Sequence, residues 1–508
     1  MADGGARGWL GRSFYWAAAC VIGLVCLAAW LAAIGAQPSR VAGVLVLACA
    51  PYLALLSARV PDRLRDVRLA VLAALVPGAC LCAAPSVLSD DLFRYAWDAR
   101  VWLAGHDAYA RAPSDPSLAM LRDHQVFARI NHRSVATIYP PVAQLLFVAF
   151  FVPGQKVFMF KVGALVAHLV TVACLPGLVR RLRPAATREE GIHVAFLYAL
   201  NPLALVEGAL SGHIDPWVGL LLLWVAAQLA GDRAIRAAIV ASLATGIKLV
   251  GLSLVPLLLR RSLPAGLLCL ALSVAMVGPL VSAGADTGDA RSGLGQFGQF
   301  WRGNEGPFWV IEQLMAPVVE LAASESGAPS GRIGPDEVAF APLRPWLLRL
   351  VALGVDPHAP RRVQRKAARD PAIFDRAYAV GMLARALAGT LVLALALRAA
   401  RAPGAGVAIR AVLLSLLLMS PQVHPWYLLW LLPLEIALGR RVVVVWGTVI
   451  LGAYGALDGW QTARVWLEPA GYRSLEYLIV GGALLLEQKR GIRDALTRCG
   501  WRLKLINS

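Results

Sequence analysis

Apolar runs of about 20 residues recur along this chain from residue 14 to residue 487, with one long interruption. A run of that length matches the hydrocarbon core of a bilayer, where each backbone N–H and C=O must be bonded within its own segment, so helix is the structure such runs permit. Full-length candidates fall at 14–35, 41–58, 67–84, 157–179, 192–208, 214–230, 263–283, 378–399 and 441–458. Shorter or polar-ended ones fall at 234–247, 249–259, 408–420, 426–438 and 474–487. The 508 residues are 58% hydrophobic and only 16% charged, whereas a soluble protein is about a quarter charged. That excludes a disordered chain and an ordinary soluble enzyme. The expectation is an all-α polytopic membrane protein forming one integral membrane domain over residues 1–508, with about 12–16 spans.

The net charge of +18 does not point to nucleic acid, because the cations sit in short clusters between apolar runs, which is the positive-inside pattern. Arg7/Arg12, Arg59–Arg68, Arg180–Arg188, Arg233/Arg236, Arg260/Arg261, Arg398/Arg401 and Arg440/Arg441 are the clusters, with a basic tail over 488–508. Placed in the cytoplasm, they put both termini inside and residues 85–156 outside. The run 140–153 is then read as a helix lying in the outer interface. Residues 284–377 are read as a long external loop or partly embedded segment, although Arg361, Arg362, Arg365, Lys366 and Arg369 face outward against the rule. The eight cysteines show no metal-ligand spacing, and Cys80-x-Cys82 is too tight for a CxxC pair, so all are read as small packing residues. No cleavable signal peptide is expected, since the first run is too long and lacks a small-residue cleavage site.

The outward turns hold the chemistry. In 89-SDDLFRYAWDAR-100, Asp91, Arg94, Tyr95 and Asp98 share one helical face. Asp90 and Asp91 stand side by side at the end of a membrane run, where adjacent carboxylates repel and desolvation is costly; one of them with a raised pKa would serve as a base. IYPP follows at 138–141, and 207-EGALSGHIDPW-217 carries Glu207, His213 and Asp215 to the outer rim. Lys248 splits 234–259 into two half-length helices and is expected in a cavity rather than in lipid. Arg302 and Asn304 open the long outer loop, and 420-SPQVHPWYLLW-430 brings His424, Trp426 and Tyr427. Five separated motifs thus fall on one side of the membrane, offering carboxylates opposite cations. There is no GxxxxGK[ST] or GxGxxG phosphate loop, no HExxH and no evident Cys/His cluster, which disfavours nucleotide-driven and zinc chemistry.

At these residues the chain resembles the GT-C superfamily of polyprenyl-phosphate-sugar-dependent glycosyltransferases, in its bacterial mannosyltransferase-like branch. The likeness is carried by SDDLFRYAWDAR–AG–DAY (89–109), IYPP (138–141), NPLALVEGALSGHIDP (201–216), TGIKLVGLSLVP (245–256) and SPQVHPWYLLWLLP (420–433), in the family's order. The chain departs from the family pattern at Ala99 and at Asp107-Ala108-Tyr109. The resemblance implies a GT-C-like helix bundle with membrane-parallel helices in a large first external loop, seated in a bacterial cytoplasmic membrane with its site facing outside. It further implies Asp91 as general base with Asp90 as the alternative, and Lys248 and His424 near the donor phosphate. Arg94, Tyr95, Tyr139, Glu207, His213, Asp215, Arg302, Asn304, Trp426 and Tyr427 complete the expected substrate-binding set.

The expected reaction is inverting transfer of a sugar, mannose by analogy, from a polyprenyl-phosphate donor to a hydroxyl of a glycan, glycolipid or protein acceptor. Membrane lipid is the other partner, and the scheme calls for no cofactor and no metal. The competing readings are a transporter or lipid-linked-sugar flippase, and a polymer ligase or non-catalytic assembly subunit. The acids cluster at one surface without an internal repeat, which disfavours the transporter.

Overall fold

The computed structural model describes residues 2–282, 293–301, 303–325, 371–402, 404–459 and 471–498. It is 77% helix, and no strand occurs among the described residues. Among the described residues, six helices are long and apolar enough to cross a membrane: Arg12–Ala33, Pro38–Leu55, Phe158–Leu182, Leu263–Val281, Ala379–Ala399 and Val442–Gly459. A bent pair, Arg188–Ala199 with Pro202–Leu210, makes a seventh if it is one span. Among the described residues there are also six shorter apolar helices, four of which, Val67–Ala83, Asp215–Ala230, Ala234–Ile247 and Ala405–Leu418, fall on runs expected to cross. The protein is therefore a multi-pass helical membrane protein.

The first half runs α1 (Ala2–Ala33), α2 (Pro38–Leu55), α3 (Val67–Ala83), α4 (Asp91–Leu103), α5 (Pro141–Phe151), α6 (Phe158–Leu182) and α7 (Arg188–Ala199). Then come α8 (Pro202–Leu205), a π-helical turn Val206–Leu210, α9 (Asp215–Ala230), α10 (Ala234–Ile247), a 3-10 stretch Leu249–Leu254, α11 (Val255–Arg261) and α12 (Leu263–Ser282). Local chemistry sets several boundaries. The Asp66 side chain accepts from Arg68 N–H to start α3. Thr187 and Glu190 close a reciprocal capping box at the start of α7, satisfying two otherwise orphaned amides. At 11 residues, α5 is shorter than the roughly 20 residues needed to cross the hydrocarbon core.

Two expected elements are built differently. The run 192–208 is not one straight span: Asn201 adopts an extended backbone, caps Ala204 N–H through its side chain, and precedes Pro202. A residue before proline is pushed out of the helical region, so the segment bends by 56° there. The run 426–438 is a 3-10 turn Pro425–Trp430 followed by a helix Leu432–Ala437. The split at Lys248 is present: its backbone is extended (φ −143, ψ 139) between α10 and the 3-10 stretch. The apolar piece expected at 306–323 forms the helix Pro307–Glu325. The piece at 343–355, the basic run 361–369 and Cys499 lie outside the described residues; the seven described cysteines are free thiols.

Several basic loops meet at one end of the bundle. Arg65 bonds Glu189 at 3.0 Å, Arg441 reaches the Leu56 carbonyl at 3.5 Å, and Arg440 pairs with Glu487 at 3.3 Å. Helix α3 starts at that end and rises about 1.5 Å per residue, so its far end and the Asp90–Asp91 pair lie about 25 Å away.

Candidate active site

The far end gathers side chains from five separated segments. Asp91 opens α4 and is one-fifth exposed, with Oδ2 3.6 Å from His213 Nδ1. His213 is fully buried, and its other nitrogen, Nε2, lies 3.5 Å from Glu207 Oε2, also fully buried. Tyr95 Oη stands 3.5 Å from His213 Nδ1, and Tyr454 Oη donates to Glu207 Oε1 at 2.6 Å. Lys248 is ion-paired with buried Asp215 at 3.3 Å, and Trp430 Nε1 donates to that carboxylate at 2.6 Å. The ammonium of Lys248 sits 5.7 Å from the ring centre of Tyr139 and 5.2 Å from that of Tyr427. Trp426 is sandwiched between His213 (4.0 Å) and His424 (4.2 Å), all three rings nearly parallel.

Backbone geometry makes this convergence possible. Gly212 takes φ +74 immediately before His213, a left-handed turn that a side chain resists. Gly219 lies one helical turn after Asp215 on the same face of α9. A Cβ there would overlap the Leu429 carbonyl oxygen, so glycine lets the 425–430 turn nest close enough for Trp430 to reach Asp215. The bend at Pro202 and the π turn after it carry Glu207 inward. π turns leave a helix locally over-wide and recur at functional sites.

Burial and neighbouring charges bias the ionisable groups outside the spans. The Asp91 carboxyl is pushed up to about 7, chiefly by desolvation and then by the adjacent Asp90, with Lys248 opposing. Burial, then Lys248, pulls His424 down to about 3. His213 is held well below the ordinary imidazole range by burial, Lys248 and His424. Both imidazoles are therefore neutral, and Asp91 is poised near neutrality.

Of the residues expected from sequence, Asp91, Tyr95, Tyr139, Glu207, His213, Asp215, Lys248, His424, Trp426 and Tyr427 are brought together. Asp90 is the residue before α4 and accepts from Asn131 at 2.6 Å. Arg94 is committed elsewhere: its guanidinium bonds Asp98 at 2.8 Å and the Val135 carbonyl at 2.9 Å. Asp98 also accepts from Thr137 and Gln144, so this network fixes α4 to the loop before α5. Asn304 points its amide at buried Glu476 (3.0 Å) and belongs to a separate polar cluster, although Gly303 bridges to Gln422 beside His424. Arg302 lies outside the described residues. Glu207, His213 and Asp215 are interior groups with no exposure, not rim groups as expected. Sequence reading missed Tyr454 and Trp430. Trp430 lies within a quoted motif, whereas nothing local marks Tyr454 inside an apolar run. Among the described residues, no group of three or more His, Cys, Asp or Glu is arranged to hold a metal ion.

A helical membrane bundle that gathers buried acids and imidazoles at one end, with Asp91 one-fifth exposed beside them, is consistent with a polytopic membrane protein of the GT-C type. Residues 8–262, just over half of the chain, match the family described as Alpha-(1->6)-mannopyranosyltransferase, N-terminal domain, and the chain belongs to that family of glycosyltransferases. No curated protein and no solved structure matches it. The matched stretch contains Asp91, Glu207, His213, Asp215 and Lys248, while the aromatic wall formed by His424, Trp426 and Tyr427 comes from beyond it.

Proposed function

We propose that this protein moves mannose from a polyprenyl-phosphate donor to an acceptor hydroxyl by inversion, at the extracytoplasmic face of a bacterial cytoplasmic membrane. The observation that carries the reading is the placement of Asp91, a carboxylate poised near neutrality, in the same pocket as the Lys248 ammonium. Asp91 takes the acceptor proton as the hydroxyl oxygen attacks the anomeric carbon, a contribution of typically 10²–10⁴-fold. The bond to the donor phosphate breaks with its electrons on the phosphate oxygen, and Lys248, with two ammonium hydrogens beyond its Asp215 contact, stabilises that charge. His424 flanks the same wall and offers a ring N–H. Attack opposite the phosphate turns a β-linked donor into an α product, which accords with the linkage in the family's description. The pocket lies at the end of the bundle away from the basic loops, so the positive-inside rule faces it outward, and a lipid tail stays among the helices while its sugar phosphate reaches Asp91.

Purified protein in lipid nanodiscs, given labelled polyprenyl-phosphate mannose and a mannoside acceptor, should release polyprenyl phosphate and form a labelled α-linked product. Asp91→Asn should abolish release while donor binding persists. Donor translocation without cleavage would replace this reading with a flippase.

A further inference from the structure

His213 has an unusual position for a binding residue. It is fully enclosed, its two ring nitrogens face two different carboxylates, and neither His213 Nε2 nor Glu207 Oε2 has another hydrogen-bond partner. A neutral imidazole has one N–H and one lone pair. On the Nε2 side, either Nε2–H donates to ionised Glu207 or protonated Glu207 donates to Nε2, because otherwise two lone pairs face each other in a dry interior; on the Nδ1 side, Asp91 Oδ2 and the Tyr95 hydroxyl both stand within 3.6 Å. Two arrangements satisfy this with the same number of protons. In one, Asp91 is ionised and accepts from Nδ1–H, while Glu207 is protonated and donates to Nε2. In the other, Asp91 carries the proton and Glu207 is ionised.

We infer that Asp91 and Glu207 share one proton through His213, and that this exchange prepares Asp91 as the base. The step balances without a co-reactant: the Asp91 O–H bond breaks as Nδ1–H forms, and Nε2–H breaks as the Glu207 O–H forms. No net charge moves out of the pocket. The 3.5 and 3.6 Å separations are long for hydrogen bonds, as such contacts often are before substrate closes a site. Trp426 stacked on the imidazole holds the ring plane so that both nitrogens stay aimed. Glu207 and His213 are thus positioning residues that act through Asp91, and the inference rests on the proposed role of Asp91.

The groups around His213 are Asp91 and Tyr95 from α4, Glu207 from the π turn with Tyr454 behind it, Asp215 from α9, Lys248 after α10, and His424 and Trp426 from the 424–430 segment. Their combined effect makes the sign of one experiment decisive. Glu207→Gln, whose amide N–H can donate to Nε2 as the protonated carboxyl does, should leave the acid limb of the rate profile near that of the parent, whereas Glu207→Leu removes that donor, disfavours the tautomer with Nδ1–H facing ionised Asp91, and moves the limb to higher pH. A shift of about one unit makes Glu207→Leu about tenfold slower than the parent at pH 6, with most of the deficit recovered at pH 9. If Glu207 acts only as a nearby negative charge, its removal eases ionisation of Asp91 and the limb moves to lower pH. If it is only a packing group, the limb of Glu207→Leu stays in place. Either of the last two results overturns the inference. His213→Gln, which breaks the path but leaves both carboxylates, should reproduce the upward shift with the donor KM little changed. If Asp91→Asn is inactive and Glu207→Leu leaves the limb unmoved, the shared proton fails while the base survives; an active Asp91→Asn removes both.

Discussion

With Asp91 as the proposed base, the pH dependence of transfer follows from the surroundings of that carboxyl. Its carboxyl is raised from an ordinary 3.8 to about 7, and a base works only when ionised. The active fraction is then about one-half at pH 7, one-tenth at pH 6 and one-hundredth at pH 5. Initial rates of polyprenyl phosphate release between pH 5 and 9, under kcat/KM conditions, should therefore rise tenfold per unit below about 7 and flatten above it. The causes of the shift predict the direction of two variants. Asp90→Asn removes a repelling charge and should move the limb to lower pH; Lys248→Gln removes an attracting one and should move it higher. Stability carries the opposite dependence. Because the folded carboxyl lies above its unfolded value, its contribution is complete below 3.8 and is lost as pH rises through 7. Asp91→Asn should accordingly match the parent in thermal midpoint at pH 4 and exceed it at pH 8, by at most about 4 kcal/mol in stability. A rate profile flat from pH 5 to 8, or an inactive Asp90→Asn beside an active Asp91→Asn, would refute the assignment of the base.

Two other perturbations probe the walls of the pocket. Gly219→Val should push the Leu429 carbonyl away and part Trp430 from Asp215, lowering activity at least tenfold while the variant still inserts; tryptophan fluorescence and activity on the same nanodisc sample check this. Lys248→Met strands the carboxylate of Asp215 in a dry interior and should cost about 3–5 kcal/mol, with the double variant Lys248→Met/Asp215→Leu recovering most of that stability in a thermal-shift assay.

Much of the membrane architecture is legible locally. Apolar length marks helices such as Phe158–Leu182 and Leu263–Ser282, because a bilayer demands internally satisfied backbone of a set length. The break at Lys248 is legible too, since a cation inside a run too short for two spans and too long for one must leave the helix line. Arg94 is different: on a helical wheel it shares a face with Asp91, yet its guanidinium is taken up by Asp98 and the Val135 carbonyl. Periodicity tells which side of a helix a residue occupies but not which partner arrives there from 41 residues away.

The chain's own order of residues determined that it is a bundle of membrane helices, which loops carry positive charge, and which polar motifs stand at the ends of spans. These are properties of neighbours in sequence, governed by hydropathy and short-range backbone chemistry. Only the tertiary structure decided that Glu207 and Asp215 are interior groups, that Tyr454 and Trp430 each donate to one of their oxygens, and that His213 lies between two carboxylates. Those outcomes depend on a proline bend, a π turn and two glycines that let distant segments approach, and packing of that kind is a property of the whole bundle.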